Sequence, residues 1–178
     1  MEHLVLINAA GIPEAGSARL AAARERHWAV GAVGWAWEAG LTPGSVVRAL
    51  GPLGASLVEG TVSRRFARMG APPPELQRYV QAILSAPGSG EHALRVLLHF
   101  GGHAKAPMGP RLRASWRGKT TVLHGEHDWM DLGASARLAR TLAKDHGVDA
   151  AFVTVPRAEH YVFLERPREF AAALAARA

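Results

Sequence analysis

Two polar residues, Asp128 and His160, each follow a predicted strand closely, and together they could perform acid–base chemistry. Asp128 lies in the segment LHGEHDWMD (residues 123–131), three residues after Gly125, and His160 lies in VPRAEHYVF (residues 155–163). Loops after parallel strands open onto one edge of an α/β sheet, where such folds place their sites. An aspartate there orients an imidazole, which takes a proton from a nucleophile. The spacing therefore predicts Asp128 as the acid and His160 as the base of a catalytic triad.

Other polar residues near this pair have simpler interpretations. Asp131 is the alternative acid, although it can also cap the helix that follows. His124 and His127 stand beside the predicted acid, but they lack the spacing of known zinc sites. His99 and His103 are interpreted as helix-end and loop residues. We therefore predict no metal site and no cofactor.

A triad also needs a nucleophile, and the sequence does not contain the expected motif. The pattern G-x-S-x-G, which exposes a serine on a strained turn after a strand, is absent from the 178 residues. Each serine falls in a predicted helix or in a loop around one, at positions 17, 45, 56, 63, 85, 89, 115 and 135. No glycine-rich phosphate loop occurs either. We therefore expect the present chain to be close to inactive by itself.

The elements that must position these residues form an α/β pattern. Continuous apolar runs predict strands at residues 3–8, 120–125 and 150–156, which we expect to form one parallel sheet. Residues 131–147 and 166–178 have helical patterns, so the last sixty residues alternate strand and helix. Residues 14–115 show helical texture without a strand pattern. This range is interpreted as a helical lid inserted into one domain that spans residues 1–178.

Several helix boundaries within the lid range can be predicted. Thr42 can cap a helix that begins at Pro43. The segment GPLGA is interpreted as a break, with a new helix from Ser56. Further helices are predicted at residues 14–39, 73–85 and 90–99.

The composition narrows the partners and the compartment. A hydrophobic content of 48% is enough for a buried core. The chain has no cysteine, which excludes disulfides and thiolate sites and fits a reducing compartment. No apolar run approaches the roughly 18 residues of a membrane span, and the N-terminal segment lacks the features of a signal peptide. We therefore predict a cytoplasmic protein.

The net charge of +6 suggests a surface that attracts phosphate-bearing partners. Positive charges scattered over a solvated surface would give the same composition. Arg64, Arg65 and Arg68 could form one basic lid face. The tryptophans at positions 28, 35 and 37 could line an acyl pocket, meet a membrane surface, or pack between lid helices. An anionic membrane or lipid droplet is the predicted peripheral partner, and no nucleic acid is predicted.

Five segments resemble the carboxyl-terminal half of one α/β-hydrolase branch. In chain order they are LVLINAAGIP, TPGSVVRALGPLG, FGGHAKAPM, LHGEHDWMD and AEHYVFLERPREF. The branch comprises abhydrolase-domain proteins four and five, the lipid-droplet lipase coactivator and its plant relatives. The second and third segments are fairly specific to it. The resemblance implies a partial α/β-hydrolase fold, with three parallel strands, flanking helices and a helical lid.

The resemblance also implies a function and site residues. Members of the branch are lysophosphatidic acid acyltransferases, glycerolipid hydrolases, or non-enzymatic lipase activators. The branch's acid and base correspond to Asp128 and His160. Its proposed acyltransferase motif, a histidine followed five residues later by an aspartate, corresponds to His160 and Glu165, with glutamate in place of aspartate. By chemistry alone, Glu165 could instead begin the terminal helix, where a carboxylate suits the helix dipole.

The expected function of the parent protein is acyl transfer or hydrolysis on a glycerolipid ester. The alternative is a non-catalytic coactivator at a lipid surface, and a third is an inactive truncated product. The resemblance implies that the nucleophile belongs to an amino-terminal half outside this chain.

Overall fold

The computed structural model describes residues 2–13, 27–66 and 72–178, and the chain forms two compact units. The first unit comprises Met1–Ala21 and Gly102–Ala178, and the second comprises Ala22–Gly101. The described elements are β1 (His3–Ile7), α1 (Trp28–Glu38), α2 (Pro43–Leu50), α3 (Pro52–Arg65), α4 (Pro74–Ser85), α5 (Gly90–Leu97), β2 (Leu98–His99), β3 (His103–Ala104), α6 (Met108–Ser115), β4 (Lys119–Gly125), α7 (Leu132–His146), β5 (Ala150–Val155), α8 (Val162–Glu165) and α9 (Pro167–Ala175).

The first unit is built on a three-stranded parallel sheet in the order β1-β4-β5. Leu4 pairs with Thr120, and Thr120 pairs with Ala150 on its other side. The central strand β4 is almost entirely buried, which explains its run of β-branched and apolar residues. The predicted parallel sheet is therefore confirmed, with strand ends within one residue of their predicted positions.

Helices cover both faces of this sheet. Val122 on β4 packs with Leu138 and Leu142 of α7, and Leu123, the next residue along the strand, packs on the other side with Val155 and Val162. Successive side chains of a strand point to opposite faces, so one strand supplies both cores. The sequence explains where α7 begins and ends. Asp131 caps its N-terminus, and Gly147 ends it with a left-handed backbone conformation at φ 63°.

The second unit, in its described residues, contains α1 to α5. The predicted start of α2 is confirmed: Thr42 and Ser45 form a reciprocal capping box, and Pro43 is the first helical residue. Among the described residues of this unit, the buried apolar side chains are Val47, Val58, Val62 and Phe66. Arg48 forms an ion pair with Glu91 and also donates to two backbone carbonyls at the end of α4.

Several predicted boundaries were wrong. The helix break predicted at the segment GPLGA occurs at Gly51, but the next helix begins at Pro52 rather than Ser56, because proline fits the first turn of a helix. The helix predicted at residues 90–99 ends at Leu97, since Leu98 and His99 are extended. The terminal helix predicted at residues 166–178 spans Pro167–Ala175, and a separate short helix, α8, precedes it. Residues 14–26 of the first predicted helix lie outside the described residues.

The interpretation of residues 14–115 as a lid stays a prediction. Helix α6, inside that range, lies in the unit that holds the sheet. Among residues 27–66 and 72–90, no strand occurs. His99 and His103, interpreted as helix-end and loop residues, lie instead in two-residue strands. No helix in the described residues is long and apolar enough to cross a membrane.

Candidate active site

Three loops of the first unit meet at the carboxyl edge of its sheet. Asn8 follows β1, Asp128 follows β4 by three residues, and His160 follows β5 by five. The central position of β4 places the Asp128 loop between the other two. The parallel order of the strands therefore brings together residues that are more than 30 and more than 100 positions apart in the chain.

Asp128 and His160 form the contact predicted from their spacing. Oδ1 of Asp128 lies 2.9 Å from Nδ1 of His160, and the Asp128 side chain is fully buried while 20% of the His160 side chain is exposed. Nδ1 therefore donates to the carboxylate. Among the described residues, none hydrogen-bonds Nε2, the nitrogen that a general base uses. The His160 ring is flanked by Trp129 and Tyr161, with ring centroids 5.2 and 5.4 Å away.

Asp131, the alternative acid, has a structural contact instead. Its Oδ1 accepts a hydrogen bond of 2.8 Å from the backbone N–H of Ala134, at the start of α7. Its other oxygen lies 3.9 Å from the Arg137 guanidinium. Of the two candidate carboxylates, Asp128 is the one that contacts His160.

Four donors surround the Asp128 carboxylate. Besides His160, Oδ1 accepts from the backbone N–H of Met130 at 3.1 Å, and Oδ2 accepts from Nδ1 of His124 at 2.8 Å and from the Asn8 amide at 2.7 Å. Burial raises the pKa of the Asp128 carboxyl, but these hydrogen bonds lower it by more, so the pKa lies well below its ordinary value. Asp128 is therefore held as a carboxylate.

His124 is a site residue that the sequence analysis did not find. Its side chain is fully buried in β4, with Nδ1 on Asp128 and Nε2 2.9 Å from the Ser135 hydroxyl. In the neutral imidazole that donates to Asp128, Nε2 accepts from the hydroxyl of Ser135. A sequence signal existed: a histidine inside an otherwise buried strand needs polar partners, and an aspartate follows four residues later.

Asn8 was also not predicted as a site residue, although it lies in LVLINAAGIP, one of the five segments that carry the resemblance. The residue ends β1 with φ 46°, a left-handed conformation that asparagine tolerates better than most residues. Its backbone N–H donates to the Leu123 carbonyl, and its side-chain amide donates to Asp128. Asn8 therefore links the edge strand to the acid.

The acid loop and the histidine loop are tied to each other by backbone hydrogen bonds. The N–H of Glu126 donates to the Val155 carbonyl at 3.0 Å, and the N–H of His127 donates to the Ala158 carbonyl at 2.9 Å. In return, the Arg157 N–H donates to the Glu126 carboxylate at 2.8 Å. The separation of Asp128 from His160 is thus set by backbone contacts as well as by the side chains.

Among the serines that the structure describes, none forms a hydrogen bond with His160. Ser135 is 1% exposed and its hydroxyl pairs with His124. Among the described residues, no group of three or more histidine, aspartate or glutamate side chains could hold a metal ion. The arrangement can therefore orient an imidazole and stabilise its charged form.

The lowered pKa of Asp128 predicts a dependence of stability on pH. A carboxyl whose folded pKa lies below its value of about 3.8 in the unfolded chain stabilises the fold above that pH, and the stabilisation is lost as the pH falls through the folded pKa. The free energy of unfolding of the native chain should therefore exceed that of Asp128→Asn most at about pH 5, and the difference should shrink towards about pH 2. Urea denaturation of both proteins across this range checks the prediction, and a difference that is constant with pH would contradict it.

The chain is similar to curated proteins that are named 1-acylglycerol-3-phosphate O-acyltransferases. Over 184 residues it is 29% identical to a 1-acylglycerol-3-phosphate O-acyltransferase of Arabidopsis thaliana and 31% identical to a probable 1-acylglycerol-3-phosphate O-acyltransferase of Oryza sativa subsp. japonica. Each alignment covers 98% of this chain and 43% of the relative, so the chain spans less than half the length of these curated relatives. No family model matches.

A solved structure has the same fold. The chain superposes on MenH from S. aureus, an α/β-hydrolase, with a TM-score of 0.58 and 18% sequence identity, over 99% of this chain and 58% of that one. The chain therefore has part of an α/β-hydrolase fold, as its resemblance implied.

Proposed function

We propose that this chain is part of an α/β-hydrolase-fold enzyme that transfers or hydrolyses an acyl group on a glycerolipid, and that it supplies the acid and base of the catalytic triad. The observation that carries the proposal is the buried Asp128 carboxylate, hydrogen-bonded to His160 at the carboxyl edge of a parallel sheet. The names of the two plant relatives support a glycerolipid acyl ester as the substrate class.

In this mechanism His160 acts as the general base. Nδ1 donates to Asp128, so the proton acceptor is Nε2, which faces away from the carboxylate. Nε2 takes the proton of the nucleophile as that nucleophile attacks the acyl carbonyl, and the imidazolium is stabilised by the buried carboxylate. The imidazolium then protonates the leaving atom, which is the glycerol oxygen when a glycerolipid ester is cleaved and the thiol sulfur when an acyl-CoA is the acyl donor. A second hydroxyl, from water or from an acceptor lipid, is deprotonated by the same nitrogen in the second half-reaction.

The nucleophile is proposed to come from a part of the complete protein that this chain does not contain. The absence of G-x-S-x-G from the sequence motivates this inference, together with the burial of Ser135. A purified chain that hydrolyses a short-chain ester at a rate abolished by His160→Ala would contradict it.

The complete protein tests the function directly. It is incubated with 1-acylglycerol-3-phosphate and an acyl-CoA donor, and the lipids are measured by mass spectrometry. Formation of diacylglycerol 3-phosphate supports transfer, and release of a free fatty acid from the glycerolipid supports hydrolysis. If neither product forms faster than with the His160→Ala variant, the enzymatic proposal fails and the coactivator alternative is favoured.

Exposed apolar side chains in the second unit favour a lipid surface as a partner, which both functions share. Trp28 is 86% exposed, and Trp35, Leu53 and Tyr79 are also largely exposed. Trp28 and Trp35 are therefore too exposed to be explained by packing between lid helices. The Trp37 indole, in contrast, donates to the Leu98 carbonyl.

Arginines near the end of α3 are expected to strengthen binding to anionic lipid. Arg64 and Arg65 are both exposed in the last turn, and Arg68 lies outside the described residues. Replacing Arg64 and Arg65 by glutamine should weaken binding to vesicles of phosphatidylcholine and phosphatidic acid by about fivefold per arginine, and added salt should weaken the native chain's binding.

Vesicle flotation measures this effect, and Arg78→Gln is the matched control. Arg78 is also exposed and pairs with Glu75 at 2.9 Å, and it lies on α4 rather than at the end of α3. Equal binding of the native chain to neutral and anionic vesicles, or an equal loss in the Arg78→Gln variant, would contradict the proposed basic face.

A further inference from the structure

Glu165 contacts the loop that carries His160. One carboxylate oxygen, Oε2, accepts from the backbone N–H of Glu159 at 2.5 Å, and the other, Oε1, accepts from the backbone N–H of Tyr161 at 3.2 Å. These N–H groups belong to the residues directly before and after His160. The Glu165 carboxylate therefore binds the backbone on both sides of His160. These two hydrogen bonds are called the Glu165 clamp.

This position does not match the interpretation of Glu165 as the start of the terminal helix, and its assignment to the acyltransferase motif stays a prediction. Glu165 is the last residue of the four-residue helix α8, and the terminal helix α9 begins at Pro167, so Glu165 does not begin that helix. Both of its oxygens accept backbone N–H groups, so the carboxylate is engaged by the protein rather than presented to a substrate. A charged acceptor of this kind makes stronger hydrogen bonds than a neutral one.

The histidine loop needs such a support. His160 lies between β5 and α8, outside any regular element, and its catalytic geometry depends on the direction of one ring. Backbone contacts to the acid loop hold the start of the loop, through the Ala158 carbonyl. The Glu165 carboxylate holds the two peptide groups that carry the histidine itself.

We propose that Glu165 is a positioning residue: it fixes the backbone on both sides of His160 so that Nδ1 meets Asp128 and Nε2 faces the reacting groups. The proposal rests on the proposed function for its catalytic meaning, whereas its structural part concerns this chain alone. Its chemistry requires an ionised carboxylate with the reach of glutamate. Aspartate is one methylene shorter and reaches less far from the same backbone position, and glutamine offers one acceptor and one donor to two donors.

Nuclear magnetic resonance of the present chain tests the clamp without any activity. The variants are Glu165→Gln and Glu165→Ala, and the control is Glu169→Gln, an exposed glutamate in the first turn of α9. In the Glu165 variants the amide signals of Glu159 and Tyr161 should shift upfield, and the downfield Nδ1–H signal of His160 should broaden or vanish. Unchanged amide and imidazole signals would overturn the proposal.

His124 supplies an internal control in the same spectra. The Nδ1–H group of His124 donates to the Asp128 carboxylate, as the Nδ1–H group of His160 does. His124 lies in β4, however, and takes no part in the two hydrogen bonds of the Glu165 clamp. Its signal should persist in both Glu165 variants. If Glu165→Ala does not fold, the His124 signal is lost as well, and the milder Glu165→Gln variant decides.

The complete protein tests the catalytic part. Glu165→Gln should lower kcat by about 100-fold, the usual order for an ångström-scale misplacement, and leave KM nearly unchanged. The pH profile of kcat/KM should also change on the limb that reports the protonation of the general base. The Glu169→Gln variant should have the same profile as the native enzyme. A kcat equal to that of Glu169→Gln would overturn the catalytic part. If the native complete protein has no activity, the proposed function fails, while the spectra still decide whether Glu165 positions His160.

Discussion

Replacing Asp128 by asparagine in the complete protein is expected to lower kcat for acyl transfer or hydrolysis by about 10⁴-fold, because an amide cannot replace this carboxylate in a triad. His160 donates to Oδ1, and the negative charge stabilises the imidazolium that forms when Nε2 takes a proton. Asparagine removes that charge. It also places an NH₂ group among four donors, so the His160 ring loses either its preferred tautomer or its orientation.

Asp131→Asn is the matched control for this prediction. Asparagine caps a helix about as well as aspartate, and Asp131 caps α7 rather than contacting His160. Steady-state kinetics should therefore show near-native kcat for Asp131→Asn and a large loss for Asp128→Asn, with thermal unfolding recorded to separate folding from chemistry. The opposite pattern would mean that the acid of the triad is Asp131.

Replacing Gly125 by alanine is expected to destabilise the first unit by about 3 kcal/mol, at the upper end of the usual cost of overpacking. Gly125 ends β4, and a Cβ there would overlap the Glu159 carbonyl oxygen and lie 2.5 Å from the Ala158 carbonyl oxygen. Both are backbone atoms of the histidine loop, so no rotamer change relieves the overlap. The loop must move away from β4, and the His160 ring moves with it.

Hydrogen exchange at the amides of Val122 and Leu123, combined with thermal unfolding, measures this effect. Gly60→Ala is the control, because Gly60 lies inside helix α3 and a Cβ there meets no atom within 4 Å. Alanine in a helix interior should stabilise by roughly 0.5–1 kcal/mol. An alanine at position 125 that leaves the β4 amides as protected as in the native chain would contradict the close packing of the two loops.

Local sequence patterns were sufficient to predict the strands and most helix ends. Apolar runs marked β1, β4 and β5, since a parallel strand buried on both faces is apolar almost throughout. Short-range chemistry also predicted the helix caps at Thr42 and Asp131. These features depend on residues within a few positions of one another.

The predicted pair of Asp128 and His160 depended on more than local pattern. Each residue follows a strand, and parallel strands bring their carboxyl ends to one edge. The sequence therefore predicted that the two loops meet there, although the choice between Asp128 and Asp131 stayed open. The structure brings Asp128 to His160, because Asp131 is already directed at the first N–H groups of α7.

Three site contacts were decided by tertiary structure alone. Asn8 reaches Asp128 across 120 positions because β1 pairs with β4, and His124 reaches Ser135 because α7 covers one face of the sheet. Glu165 was predicted from a motif, yet its partners are backbone groups whose direction depends on the fold of the histidine loop. A sequence determines which residues can donate and accept hydrogen bonds. Strand order, helix packing and loop direction then determine which donors and acceptors meet, since hydrogen bonds require separations of about 3 Å and defined angles.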